Sequence, residues 1–239
     1  MTQRLQTILA NFGPSSKYYL YLRRRPRTSY LDRKMCLEDR VCFPYILHRP
    51  GTGKTVTIVE AIKQILRYNP SACVLACAPS NSAADVVALR LSGLLNNQEL
   101  FRFYAPSRER VTVPPDLLPY TFMNADGLFS HPPLNTVKTY RVIVSTCLSA
   151  AFTLGIGVER GHFSHVFIDE AGQATEPEAM VVVKNTAITT TKLILSGDPK
   201  QLRPIIHSAI ASELGLGVSY LERLMECEAY QGSTDGSTG

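Results

Sequence analysis

The chain has 239 residues, 45% of them hydrophobic and 19% charged, which is enough apolar material for one core and too much for a chain disordered throughout. No apolar run approaches the ~20 residues of a membrane-spanning helix, and the first residues lack the apolar stretch of a signal peptide, so the chain reads as soluble and intracellular with no membrane partner. The net charge of +5 is unevenly held: residues 1–34 carry eight Lys/Arg against Asp32 alone, hence +7, which leaves −2 for the remainder.

That basic character belongs to residues 1–43, an atypical segment without a hydrophobic period, expected to be poorly ordered. Its RRRPR run (23–27) reads as a solvated arm, and Tyr18, Tyr19 and Tyr21 set it apart from a mitochondrial presequence. From Tyr45 the pattern changes. YIL is a short apolar run before Gly51-Thr52-Gly53-Lys54-Thr55. Ile58, Val59, Ile62, Ile65 and Leu66 then recur on one helical face, and Pro70 ends the helix. ACVLACA (72–78) reads as a buried strand. Ser80-Asn81-Ser82 supplies cap chemistry for a helix to about Leu95. FRFYAPSRER opens as a strand. Residues 111–139 hold five prolines and little pattern, and about 105–139 read as an insertion. RVIVST (141–146), HVFIDE (165–170) and KLILSGD (192–198) are further strands, the last two ending in acids. SYLERLMEC looks helical, and residues 229–239 read as a disordered tail. Apolar strands alternating with helices predict one α/β domain over 44–228, a parallel sheet with helices on both faces.

The six cysteines include no Cys-x-x-Cys pair, and the five histidines do not cluster near them, which argues against a zinc site. Cys73 and Cys77 read as buried free thiols of a reducing compartment.

Three motifs carry chemistry. In GTGKT the glycines let backbone N–H groups approach phosphate oxygens. Lys54 can reach the β- and γ-phosphates of ATP and the Thr55 hydroxyl can ligate Mg²⁺, at the positive end of a helix. An ordinary glycine turn is the plainer reading, but a strand before and an amphipathic helix after favour a nucleotide loop. The full pattern asks for glycine at position 48, where this chain has His48, followed by Arg49. Glycine reaches backbone conformations closed to histidine, so the loop is expected to be weakened, and His48→Gly with Arg49→Pro to tighten Mg-ATP binding. In VFIDEAGQATEPE, Asp169 and Glu170 fall beyond the carboxyl end of a strand, where open parallel sheets bind ligands. Asp169 could hold Mg²⁺ and Glu170 could deprotonate the attacking water; two solvated loop acids are the alternative. In LILSGDPKQLRP, Gln201 can hydrogen-bond a γ-phosphate without adding charge.

Taken together, GTGKT, VLACAPSNSAAD, IVSTC, FIDEAGQATEPE and LSGDPKQL resemble the superfamily 1 helicases, and within them the RNA helicases related to the nonsense-mediated-decay enzyme. TVTIVEAIKQIL, LACAPSNSAAD, APSR and GLGVSYLERL look closest to the branch of the Moloney leukaemia virus 10 homologue, Armitage and silencing-defective proteins. The resemblance runs from about Pro44 to Leu224 and implies a P-loop NTPase with a RecA-like sheet, the first motor lobe of an ATP-dependent RNA helicase. It implies that Gly51, Thr52, Gly53, Lys54 and Thr55 bind ATP, that Asp169 and Thr55 hold Mg²⁺, and that Glu170 activates water. It makes Gln201 the γ-phosphate sensor, with Arg203 an adjacent phosphate-side candidate, and places Pro79, Ser80, Asn81 and Thr146 on the RNA backbone. For Ser80 and Asn81 a helix cap is the plainer role, and both can hold.

The resemblance also implies 5′-to-3′ movement on single-stranded RNA or a duplex with an overhang. It further implies RNA silencing, partners in silencing or ribonucleoprotein granules, and a cytoplasmic location including P-bodies. Three departures qualify it. His48 and Arg49 replace the family's Gly-Pro, residues 1–43 do not match the adenine-contacting segment, and the chain stops short of a second RecA-like domain. An arginine finger from such a domain is worth about 10³–10⁵ in turnover, so the expectation is ATP turnover near background and no unwinding. A catalytically inactive RNA- or protein-binding fragment that retains the fold is the alternative. A P-loop kinase or transporter ATPase has no use for GDPKQL or APSNSAAD.

Overall fold

The computed structural model describes residues 19–21, 45–47, 54–198 and 203–226, the first two stretches as backbone only. Seven strands form one sheet: β1 (Tyr19–Tyr21), β2 (Tyr45–Leu47), β3 (Val74–Ala78), β4 (Leu100–Arg102), β5 (Val142–Thr146), β6 (His165–Ile168) and β7 (Lys192–Gly197), in the order β1-β2-β7-β6-β3-β5-β4. All neighbours run parallel except β1, which pairs antiparallel with β2. The parallel sheet agrees with the sequence reading; β1 adds a strand that no hydrophobic period had marked.

Successive strand residues face opposite sides, and two cores result. Val74, Ala76, Ala78, Val142 and Val144 pack under helix α1 (Lys54–Tyr68) and helix α2 (Asn81–Ser92). Leu75, Cys77, Ile143, Val166 and Ile168 pack under α5 (Glu176–Thr186) and α7 (Tyr220–Glu226). Both strand faces are buried, which is why these strands read as unbroken apolar runs. Three short helices are also among the described residues: α3 (Leu134–Val137), α4 (Phe152–Gly155) and α6 (Ala209–Glu213).

The helix-spaced residues Ile58, Val59, Ile62, Ile65 and Leu66 are the buried face of α1. Ser80 caps α2, its Oγ accepting from Ala83 N at 3.2 Å. This helix ends at Ser92, short of Leu95, with Gly93 at its C-cap, and the Tyr120 hydroxyl lies within donating distance of the carbonyls of Ser92 and Leu95, at 3.1 and 3.3 Å. That contact docks the stretch read as an insertion, about 105–139, onto the end of α2. Two 3₁₀ turns (Arg110–Thr112 and Pro115–Tyr120) bring Val113 and Leu117 into the α1–α2 core, with Phe129. Prolines that break a helical period are compatible with such turns. α5 went unmarked in the sequence although its start carries a capping box: Thr175 Oγ1 accepts from Glu178 N, and Glu178 Oε2 accepts from Thr175 N at 2.8 Å. Cys77 is a buried free thiol as expected, and burial pushes it up to about 12. Cys73 instead is only half-buried, because it opens the edge of β3 ahead of its fully enclosed residues.

Candidate active site

The connections decide where the functional residues gather. The chain leaving β2 and β3 runs to α1 and α2 on one face, whereas the chain leaving β6 and β7 runs to α5 and α7 on the other. In the sheet, β2 lies beside β7 and β3 beside β6. Neighbouring strands therefore part to opposite faces at their carboxyl ends, which opens the crevice where open α/β sheets bind ligands. Lys54 and Thr55 start α1, Asp169 and Glu170 follow β6, and Pro79, Ser80, Asn81 and Thr146 end β3 and β5. All eight stand on that one edge.

Lys54 and Thr55 meet the two acids directly. Lys54 Nζ lies 3.2 Å from Glu170 Oε2 and Thr55 Oγ1 donates to Asp169 Oδ2 at 3.2 Å. Asp169 is 2% exposed. Burial raises its carboxyl above the ordinary value, the Glu170 N–H donating to Oδ1 at 2.9 Å opposes that rise, and the Glu170 charge adds to it. A desolvated carboxylate beside a hydroxyl is an all-oxygen donor set suited to a hard divalent cation.

Glu170 is the one non-glycine residue with positive φ, 51°, among the described residues. A left-handed conformation costs a residue with a Cβ about 1–2 kcal/mol, and the surroundings hold it there. Gln173 N donates to Glu170 O at 2.8 Å, closing a turn, and Ala171 N donates to Ser196 O at 2.7 Å, tying the turn to β7. Gln173 Nε2 also donates to Glu170 Oε2 at 3.3 Å. The twist sends the Glu170 side chain towards Lys54 while Asp169 stays buried against Thr55.

Ser80, Asn81 and Thr146 form a second group a few residues away along the same edge, since Ala78 stands opposite Thr146 in the β3–β5 register. Thr146 Oγ1 accepts from Ser149 N at 3.2 Å. Of the two residues read as possible caps, Ser80 is the cap and Asn81 is the first residue of the helix. Asn81 does something the sequence did not reveal: its Oδ1 accepts from Arg102 Nη2 at 3.0 Å. Arg102 is fully buried, salt-bridged to Asp85 at 2.8 Å, and stacked 4.0 Å from the centre of the Tyr104 ring. Tyr104 OH donates to the same Asp85 oxygen at 2.7 Å.

Gly51, Thr52, Gly53, His48, Arg49 and Gln201 lie outside the described residues. Arg203 is described, and its guanidinium is engaged by Glu222 at 2.6 Å, so its partner is a carboxylate of α7. Arg223 of the same helix donates to both carboxylate oxygens of Glu176, Nε to Oε2 at 2.7 Å. α7 is thereby tied to the first residue of α5, while the turn after Asp169 is held from β7. Neither Arg223–Glu176 nor Arg102–Asp85 has a sequence signal, because each joins elements that only the fold brings together.

A family model described as an AAA domain matches residues 30–125 and 133–209. The RNA helicase Mov10l1 of Homo sapiens is 44% identical over 191 residues, 79% of this chain and 15% of that protein. The RNA helicase Mov10l1 of Mus musculus is 44% identical over 201 residues, 83% of this chain and 16% of that protein. The "Probable RNA helicase armi" of Drosophila melanogaster is 37% identical over 207 residues, 79% of this chain and 17% of that protein. The chain thus spans less than a fifth of the length of these relatives.

Proposed function

The chain belongs to the AAA domain family, and on that premise we propose that it is the ATP-hydrolysing motor lobe of an RNA helicase. The observation that carries this reading is the meeting of Lys54 and Thr55 with Glu170 and Asp169 at one sheet edge. Three relatives named as RNA helicases support the choice of RNA.

Each residue then has a chemical task. Lys54 pairs with phosphate oxygens as a point charge, in competition with Glu170. Thr55 and Asp169 would hold Mg²⁺, which when bound offsets the negative charge of the phosphates. The strained backbone of Glu170 presents its carboxylate at the crevice, where it orients a water and takes its proton. Gln201 takes the γ-phosphate-sensing role on the resemblance of LSGDPKQL alone. Ser80, Asn81 and Thr146 offer neutral hydrogen-bond groups to an RNA backbone, which positions a strand without reading its sequence. We propose further, from the resemblance of the motifs alone, movement along single-stranded RNA or an overhang in the 5′-to-3′ direction and a role in RNA silencing, in the cytoplasm and its ribonucleoprotein granules.

The test is phosphate release from Mg-ATP with and without single-stranded RNA, compared with Glu170→Gln. Release by the unaltered chain is expected to be slow, since a second lobe's arginine finger is worth about 10³–10⁵ in turnover. A general base is worth about 10²–10⁴, so Glu170→Gln is expected to lower even that slow release to the level of buffer alone. Release above the buffer level that is equal in both proteins would overturn the role of Glu170.

A further inference from the structure

We propose that Arg102 is a positioning residue that fixes the side-chain amide of Asn81 with its nitrogen outward, making Asn81 a donor to the phosphate backbone of a bound nucleic acid. The inference rests on the reading of this edge as an RNA contact. An asparagine amide carries an acceptor on one side and a donor pair on the other, and its neighbours decide which way it turns. Here the neighbour is a guanidinium, which can only donate. Arg102 Nη2 takes Asn81 Oδ1 at 3.0 Å. The guanidinium itself cannot turn: Nε donates to Asp85 Oδ1 at 2.9 Å, Nη1 to Phe103 O at 2.6 Å, and Tyr104 lies under its face. With Oδ1 held inward, the Asn81 Nδ2 group makes no hydrogen bond to the described residues. It stands at the first residue of α2, between the exposed Ser80 and Ser82. A paired N–H donor at a sheet edge suits an anionic oxygen and has nothing to offer a donor.

Asn81→Asp separates the two halves of this arrangement. It keeps an oxygen towards Arg102 and replaces the outward donor by a second oxygen. Binding of a labelled single-stranded oligouridylate to the full chain is measured beside Ser82→Asp, which adds the same charge one residue away. Asn81→Asp is expected to weaken RNA binding about tenfold or more, a change equivalent to ~1.4 kcal/mol, with Mg-ATP affinity and Tm retained; Ser82→Asp weakens it less. Arg102→Lys, which keeps the charge and loses the fork, is expected to weaken RNA binding too. In the Asn81→Asp background it should add little, because the two residues act as a unit. If Arg102→Lys does not fold, the comparison of Asn81→Asp with Ser82→Asp decides. Equal effects of those two, or no effect of Asn81→Asp, overturn the role of Arg102. Failure of the unaltered chain to bind the oligouridylate overturns the RNA reading itself, and this inference with it.

Discussion

Gly197 and Gly172 approach so closely that no side chain fits between them: a Cβ on Gly197 would stand 2.8 Å from the Gly172 amide nitrogen. It would also stand 3.2 Å from Ala171 N and 2.9 Å from Leu221 Cδ2. The end of β7 is thus packed against the turn that carries Glu170 on one side and α7 on the other. The glycine of LSGD is needed for close backbone approach, since its φ is not in the left-handed region.

Gly197→Ala should therefore destabilise the fold by overpacking, about 1–3 kcal/mol, and lower Tm by several degrees in a thermal melt. Leu221→Ala in the same chain removes the side-chain obstacle and leaves the backbone one, so it should not restore stability. Full rescue by Leu221→Ala would show that the Gly172 amide is not the limiting contact.

Asp169 gives a pH-dependent expectation. Its carboxyl ionises at a higher pH in the folded protein than the ordinary 3.8, because burial penalises the charge. The stability tied to this group is complete below the unfolded value and fades as pH rises through the folded value. At neutral pH the carboxylate is thus kept at a cost, and Asp169→Asn should melt no lower than the unaltered protein. The same substitution should abolish Mg²⁺-dependent nucleotide binding. In the unaltered protein, that binding should weaken on acidification before an ordinary carboxylate would protonate. A clear drop in Tm for Asp169→Asn would contradict this account.

The buried ion pair gives a third. Arg102 is 0% exposed, and removing its charged partner leaves a guanidinium uncompensated inside the protein. Asp85→Asn should cost about 3–5 kcal/mol in urea unfolding. Arg102→Met together with Asp85→Asn should recover part of that loss, because neither charge is then stranded. A double variant less stable than Asp85→Asn alone would rule this explanation out.

The parts of the molecule legible in its sequence are those written locally. The apolar runs before Asp169 and after Pro70 marked parallel strands, and helical spacing from Ile58 to Leu66 marked the face that α1 buries. Lys54, Thr55, Asp169 and Glu170 could be brought to one edge on paper because each follows a strand. α5 had a local signal, Thr175 and Glu178 at capping-box spacing around Pro177, overshadowed by the chemistry of the acids upstream. The packing of the stretch read as an insertion was not legible for a different reason: Val113, Leu117 and Phe129 have no common period, yet they join the core under α1 and α2. Arg102 is the furthest from any local signal. A lone arginine in a short strand reads as solvated, and its burial makes sense only once Asp85, Tyr104 and Asn81 are brought around it.

The central claim is that Lys54, Thr55, Asp169 and Glu170 form a nucleotide site. Equilibrium titration of Mg-ATP into the full chain tests it most directly, alongside Lys54→Ala and Glu170→Gln. The account predicts saturable binding by the unaltered chain and by Glu170→Gln, and loss of at least tenfold in Lys54→Ala, about 1.4 kcal/mol. Binding that is absent from the unaltered chain, or unchanged by Lys54→Ala, would contradict it.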